Sequence, residues 1–526
     1  MVVQADFSRS DDIAGSRSGS SNLGCPAAQL FVDAPQVRGL TGYRERAEVE
    51  SNWRAGRCSW ARLEGHRDYV RCAQLQGSLL ATCSGSYMQR DCSIRLWDVD
   101  GGACLEHMAG HRGPIWSMQF DGRRVASGDD EGGVRLWDTQ SHRVGVASAL
   151  EPHSVKCLSL DGCQLAAAGE SGLLALWSLS AIQHALDEQH QGVDAMDASQ
   201  EGDSELPCWE PVALEAAGVR PCLARPPQPP GAGLPADTSC VQVDGGLCAA
   251  GESGAGRVHL WRTADDELEY RRGLALPGDA GGVATLSFQR PTGWLVAGCG
   301  SGLVRVGEAL RDLLGHIADV LCHQQSGGRL ATGGADRTVR LWDLRSGQRE
   351  ATHVLQLGTF PYCLQLDDWR LAVGCGNGTV QVADLRRAGA TSGKLVSHTL
   401  LPAHQERVWA LALSDSRLVS ASLDAEIVVR SFHPAHIADV KAGRLSGFCS
   451  AVAHGGTSSA STQDLEVDSA YGGSGSEEEE DEEASSDEEE DEEASTDEED
   501  DEEASSDEEE DEDEESSDEE EEAEVA

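Results

Sequence analysis

LATGGADRTVRLWDLR, residues 330–345, reads as a strand, a tight turn and a second strand ending on Trp342-Asp343. Val339 and Leu341 alternate with Thr338 and Arg340, the period-two pattern of a half-buried strand. Gly333 and Gly334, just ahead of Asp336, supply the turn, and Gly315-His316 opens the unit upstream. The same unit recurs along the chain. Gly65-His66 leads to Trp97-Asp98, Gly110-His111 to Trp137-Asp138, and Pro152-His153 to Trp177-Ser178. Weaker copies end at Trp261 (VHLW), at Val304–Val306, at VQVAD (380–384, with Ala383 where Trp is expected) and at IVVR (427–430, after Ala403-His404). Eight units are counted, five of them with the Trp. Recurrence at about 40–45 residues is the signature of a repeat architecture, in which each unit buries its faces only against its neighbours. The expected fold class is therefore all-β.

Units running from Gly-His to Trp-Asp resemble the blades of WD-repeat β-propellers, which implies a ring of eight blades, with seven as the alternative count. The resemblance also implies a hydrogen-bonded set in each blade: His66, Ser84, Asp91 and Trp97 in the first, and His316, Thr332, Asp336 and Trp342 in the sixth. His111 and Trp137 belong to the second. These residues are structural, because buried polar groups need partners and a blade supplies them. None is a candidate catalyst or metal ligand. CSWARL (58–63) is expected to join the last blade and close the ring, removing exposed edges.

The chain has 526 residues and a formal net charge of -50. Residues 477–526 hold 36 Asp and Glu and no Lys or Arg, which leaves 55 acidic against 41 basic residues, or -14, for the rest. That balance argues against a nucleic-acid-binding body. The 17 cysteines form no C-x-x-C pair. Cys72, Cys157 and Cys363 fall in strand patterns and read as small buried thiols. No apolar run approaches the length of a membrane span or a signal peptide, so an intracellular protein of cytoplasm or nucleus is expected.

The chain is expected to divide into five parts. Residues 1–42 are a disordered segment, 43–57 a helical linker ended by Gly56, and 58–435 the propeller. Residues 181–238, which include RPPQPPGAGLP, form a flexible insertion from one rim; a degenerate extra blade is the alternative. Residues 436–475 are a Gly/Ser-rich linker and 476–526 a disordered acidic tail. The tail repeats DEEASSDEEE, with Ser485, Ser486, Ser495, Thr496, Ser505, Ser506, Ser516 and Ser517 preceding acidic residues. This resembles the target pattern of casein-kinase-type kinases, and each phosphate would add roughly -1.5 to -2 charges.

Two further resemblances bear on function. ESNWRAGRC (50–58) resembles the linker that precedes the propeller in F-box/WD-repeat proteins, the substrate receptors of Skp–cullin–F-box ubiquitin ligases, although residues 1–42 do not read as an F-box. Some members read phosphorylated segments with arginines on the propeller face. Arg71 and Arg90 match two such positions, Lys156 lies in the third blade, and Trp116, Tyr362 and Trp409 are aromatic candidates on the same face. Trp342-Asp343-Leu344-Arg345 resembles the WDxR box of receptors that dock onto the adaptor of cullin-4-type ligases, with Arg345 as the docking residue. Neither phosphate-binding, metalloprotease nor hydrolase motifs occur. The expectation is a non-catalytic scaffold without cofactors: a ligase substrate receptor or, alternatively, a nuclear or nucleolar scaffold holding histones or ribosomal proteins through its acidic tail.

Overall fold

The computed structural model describes residues 42–453, apart from 87–90, 149, 189–208, 228–236, 255, 265–266, 277–280, 290–293, 308–310, 388–394, 401–402, 442–447 and 450–451. The chain divides into units 1–457 and 458–526, and the second lies wholly outside the described residues. So do the expected N-terminal segment up to residue 41 and every expected phosphorylation site.

Eight sheets, antiparallel apart from one added outer strand, form eight blades, and their innermost strands follow one another around the ring: Val70–Gln76, Ile115–Phe120, Val155–Leu160, Thr238–Asp244, Val283–Gln289, Val320–Ser326, Pro361–Leu366 and Val408–Leu413. The ring closes through Cys58–Leu63, which pairs antiparallel with Ile427–Ser431 so that blade eight draws on both ends of the repeat region. Each seam between adjacent blades holds one apolar cluster. Trp97 packs in the seam between blades eight and one, and Trp137 between one and two. Five tryptophans (Trp97, Trp137, Trp177, Trp261 and Trp342) are almost fully buried. At roughly 25 cal/mol per Å2 of apolar surface, such side chains are among the largest single contributors to the ring.

The helix Tyr43–Ala55 ends at Gly56, whose φ of 60° is left-handed and suits a residue without Cβ. Trp53 stacks on Phe432 at 3.4 Å and donates to the Asp415 carbonyl, while Asn52 donates to the Phe432 carbonyl. Arg54 and Arg386 add ion pairs to Asp384 and Glu50. The helix is thereby fixed to blades seven and eight.

Two stretches differ from the expected organisation. Within 181–238, Glu210–Ala213 adds a parallel fifth strand to blade two, Cys222–Ala224 is the outermost strand of blade three, and the helix Leu179–Glu188 buries Ile182 and Leu186. The segment is therefore used in two sheets rather than standing clear of the rim, because blade three otherwise has only three strands. Within the expected linker 436–475, the helix Pro434–Lys441 and short strands at Phe448–Cys449 and Val452–Ala453 lie against blades eight and seven.

The hydrogen-bonded set is complete in blades one, two and six. Trp137 Nε1 donates to Ser127 Oγ (2.9 Å), Ser127 lies 2.6 Å from His111 Nε2, and His111 Nδ1 lies 2.8 Å from Asp129. Burial pushes the His111 pKa down against the pull of Asp129, so the imidazole is neutral. A neutral ring with its proton on Nδ1 lets every group donate once along the chain from indole to carboxylate. In blade one the hydroxyl is Thr82, not Ser84: Thr82 Oγ1 receives Trp97 Nε1 at 2.8 Å and lies 2.9 Å from His66 Nε2. Ser84 instead donates to the Asp91 carbonyl. The two share one strand face, so alternation cannot separate them; register does, placing the hydroxyl sixteen residues after the His in each relay. Blade eight substitutes Arg430, whose Nη1 donates to Ser420 Oγ at 2.7 Å, for the missing Trp. Blade three lacks the relay: His153 is exposed and Trp177 Nε1 has no partner among the described residues.

Among the described residues no helix is long and apolar enough to cross a membrane, and no cysteine forms a disulfide. Burial raises the Cys240 thiol to about 11 and the Cys322 thiol to about 12, so both stay protonated.

Thr82→Val is expected to lower unfolding free energy by about 1–3 kcal/mol in urea melts, because Trp97 and His66 both lose a buried partner. A larger loss in Ser84→Ala than in Thr82→Val would contradict the assignment. A second expectation concerns Asp138, which accepts from Arg123 at 3.0 and 2.9 Å. Burial alone would raise its pKa, but the Arg123 bonds hold it at about 2, below the ordinary 3.8. Its contribution is complete above pH about 4 and is lost as pH falls toward 2. Asp138→Asn should therefore flatten that part of the stability–pH curve measured by denaturant titration.

Candidate partner-binding face

All eight innermost strands carry a register shift at their second residue, for example between Val70 and Cys72 and between Val408 and Ala410. A bulge leaves one residue out of the ladder and re-aims it. The eight residues so placed are Arg71, Trp116, Lys156, Ser239, Ala284, Leu321, Tyr362 and Trp409, one per blade. Five large side chains come from the consecutive blades seven, eight, one, two and three, whereas blades four to six contribute small or aliphatic ones.

The five form a continuous stack. Lys156 Nζ lies 4.5 Å from the Trp116 ring centre, and Arg71 Cζ lies 4.1 Å from it, so Trp116 is flanked by cations from both neighbouring blades. Arg71 also lies 6.0 Å from Trp409, which stacks on Tyr362 at 5.3 Å with 22° between planes. Arg407 closes the far end, 5.2 Å from the Tyr362 ring and 3.4 Å from its hydroxyl. Each cation–π contact at such a site is worth about 0.5–1 kcal/mol. The structure thus brings together Arg71, Trp116, Lys156, Tyr362 and Trp409; Arg90 lies outside the described residues.

The electrostatics of the stack are uneven. Lys156 pairs with Glu170 at 2.9 Å, and Trp116 Nε1 donates to Asp130 Oδ1 at 2.7 Å. Arg71 Nε donates to the Gly85 carbonyl at 3.0 Å, and no carboxylate pairs with Arg71 among the described residues. A guanidinium has donors beyond Nε, so the terminal nitrogens of Arg71, at the centre of the stack, remain available to an anion; Arg407 at the far end also pairs with no carboxylate among the described residues. The aromatic rings, expected as anchors, instead spend their faces on the cations and on one another. Arg407 was not singled out in the sequence. It lies immediately before the innermost strand of blade eight, one position ahead of the bulged pair, and carries no motif of its own.

The other docking candidates separate. Trp342 is buried in the relay of blade six, with Nε1 donating to Thr332 Oγ1 at 2.9 Å. Asp343 is half-exposed and the Arg345 side chain is 70% exposed, with its Nε 3.7 Å from Asp343. A cleft of about 500 Å3 lies apart from the stack, lined by Gly110, Arg135, Val144, Trp209 and Pro211. His404, Asp424 and Glu426 come close enough to hold a cation, but His404 and Asp424 are already bonded within the relay of blade eight.

A ring of eight blades of four or five strands, with His–hydroxyl–Asp–Trp relays complete inside blades one, two and six, defines a WD-repeat β-propeller, a non-catalytic scaffold fold. The family model "WD domain, G-beta repeat" matches residues 57–98, 102–138 and 307–343. By sequence the chain is related to the F-box/WD-repeat proteins. It is 36% identical over 81 residues to F-box/WD repeat-containing protein sel-10 of Caenorhabditis elegans, covering 15% of this chain and 13% of the relative. It is 53% identical over 57 residues to F-box/WD repeat-containing protein pof1 of Schizosaccharomyces pombe, covering 11% of this chain and 9% of the relative. The matched stretches thus span a small part of these relatives' length. Among solved structures, the computationally designed Ika8 protein superposes with a TM-score of 0.51 at 18% identity, covering 70% of this chain and 98% of that one, which is a likeness of fold.

If Glu170 is what neutralises Lys156, Glu170→Gln should tighten binding of an acidic peptide about 5-fold at low salt, with the gain shrinking as salt screens it. Fluorescence anisotropy with a labelled acidic peptide reads this directly. Unchanged affinity at every ionic strength would show that Lys156 takes no part.

Proposed function

We propose that the chain is a substrate-recognition subunit of a cullin-based ubiquitin ligase, holding acidic or phosphorylated protein segments on the stack centred on Arg71. One observation carries this reading: the Arg71 guanidinium is held between Trp116 and Trp409 and has no carboxylate partner among the described residues. A guanidinium already fixed in place loses little further freedom when it binds, so an anionic side chain gains most of the pairing energy. Phosphate and carboxylate both fit its paired donors. Kinship with F-box/WD-repeat proteins supports the same reading, as does the firm seating of the ESNWRAGRC helix on blades seven and eight. A receptor must hold its substrate at a set position relative to its ligase partner, and a fixed helix ahead of the ring serves that need. The exposed Arg345 offers a second docking route. The partners are then a ligase adaptor and a substrate protein, without nucleic acid or membrane, in cytoplasm or nucleus. The second reading, a nuclear or nucleolar scaffold, rests on the 36 acidic residues of 477–526, which suit histones or ribosomal proteins.

Affinity purification of the full chain from its own cells, followed by mass spectrometry, tests both. Recovery of a cullin and its adaptor is expected, with Arg71→Ala losing substrate about 10-fold or more while keeping the cullin. Arg345→Ala losing the cullin would assign docking to the WDxR box. Basic proteins recovered without any cullin, and lost on deletion of 477–526, would overturn the receptor reading in favour of the scaffold.

A further inference from the structure

Seven of the eight seams are plugged alike. After the bulge, the fourth and sixth residues of each innermost strand point into the preceding seam: Ala73 and Leu75, Met118 and Phe120, Leu158 and Leu160, Val241 and Val243, Leu286 and Phe288, Leu364 and Leu366, Leu411 and Leu413. In blade six these positions are His323 and Gln325. Neither belongs to the apolar cluster between blades five and six, which consists of Val296, Val304, Val306, Leu313, Val320, Leu330, Trp342 and Leu344.

Blade five faces that seam with Thr285 and Ser287, the third and fifth residues of its innermost strand. In blades one, three and six these positions latch the next blade, whereas in blade eight they are Ala410 and Ala412, which cannot. Gln74 bonds the Met118 carbonyl and Phe120 N–H, Ser159 accepts from Val243 N, and Gln324 accepts from Leu366 N. Thr285 and Ser287 make no such bond among the described residues. Thr285 Oγ1, Ser287 Oγ, both ring nitrogens of His323 and both amide atoms of Gln325 are buried without partners there. Six orphaned polar atoms on two facing strands would cost several kcal/mol if left dry.

We propose that the seam between blades five and six encloses ordered water molecules and is the joint at which the propeller ring opens first. A buried water makes about three hydrogen bonds, so about two waters would satisfy all six atoms. Neutral hydroxyl, amide and imidazole groups suit water; the absence of any carboxylate among the four side chains does not favour a divalent cation. A seam closed by water instead of apolar side-chain plugs gains less from closing than its seven counterparts, so local opening concentrates there.

The joint is also acid-sensitive. Burial is the one cause acting on His323 and lowers its pKa to about 4; no charged group on the packed strands contributes. Opening returns the ring to water and to its ordinary 6.5. The open form therefore binds a proton that the closed form refuses between those values, and acidification favours opening. From pH 7.5 to 5 the shift is about 30-fold.

Hydrogen exchange of the full chain at pH 7.5 and 5, corrected for intrinsic rates, tests the proposal. Amides of 283–289 and 320–326 are expected to exchange at least 10-fold faster than those of 70–76 and 115–120 at pH 7.5, with the difference growing about 30-fold at pH 5. The double change His323→Leu with Gln325→Leu, the residue type used by other blades, should slow exchange at this seam and abolish its pH response. If the double variant fails to fold, the wild-type comparison decides alone. Equal protection of all seams at both pH values overturns the joint, and pH response that survives His323 replacement overturns its titration.

Discussion

A four-stranded sheet with two apolar faces is stable only when both faces are covered, and that single constraint organises this molecule. Every blade lends one face to the blade before and one to the blade after, so no blade can be finished until the ring is closed. Closure is made by pairing residues 58–63 with residues 427–431, more than 360 positions apart. The terminal helix, locked by Trp53 on Phe432 and by Asn52 on the adjacent backbone, belongs to the same closure. Nearly all the stabilising burial lies in the seams, and the relay inside the blades orients the tryptophans that fill them.

The face of the ring follows from the same backbone geometry. The bulge at the start of each innermost strand aims one residue per blade toward a common region, whatever that residue is. Binding chemistry can thus change without disturbing the seams. Blades seven, eight, one, two and three exploit this with cations and aromatics that stack on one another, and among the described residues no carboxylate meets the charge of Arg71 or of Arg407 at the far end. Glu170 and Asp130 temper the remaining positive charge. The arrangement offers an anchored guanidinium with limited surrounding charge, in contrast to a broad basic patch. The polar seam between blades five and six lies on the side of the ring where the face carries small or aliphatic residues.

Much of this was legible in the residues. The Gly-His to Trp-Asp units pointed to a ring of eight or seven blades because a large buried side chain recurs with the period in five of the eight units. CSWARL was legible as the closing strand because it precedes the first Gly-His. Arg71, Trp116, Lys156, Tyr362 and Trp409 were legible as one set because each occupies the same place in its unit. The relay hydroxyl of blade one was not, since Thr82 and Ser84 have the same chemistry on the same face. Arg430 in place of Trp was not, since a buried arginine looks in sequence like a surface one.

What the sequence by itself determined is the repeat and which strand positions correspond from unit to unit, because these depend on local periodicity that each unit states for itself. Tertiary structure decided the rest. It recruited 210–213 and 222–224 to the outer edges of blades two and three, since an open edge takes whatever strand can reach it. It turned separate aromatic and cationic candidates into one stack, since the distances between blades are fixed only when the ring closes. It made His323 and Gln325 exceptional, since their polarity acquires meaning only against a facing strand that brings two more hydroxyls, unpartnered among the described residues, to the same buried seam.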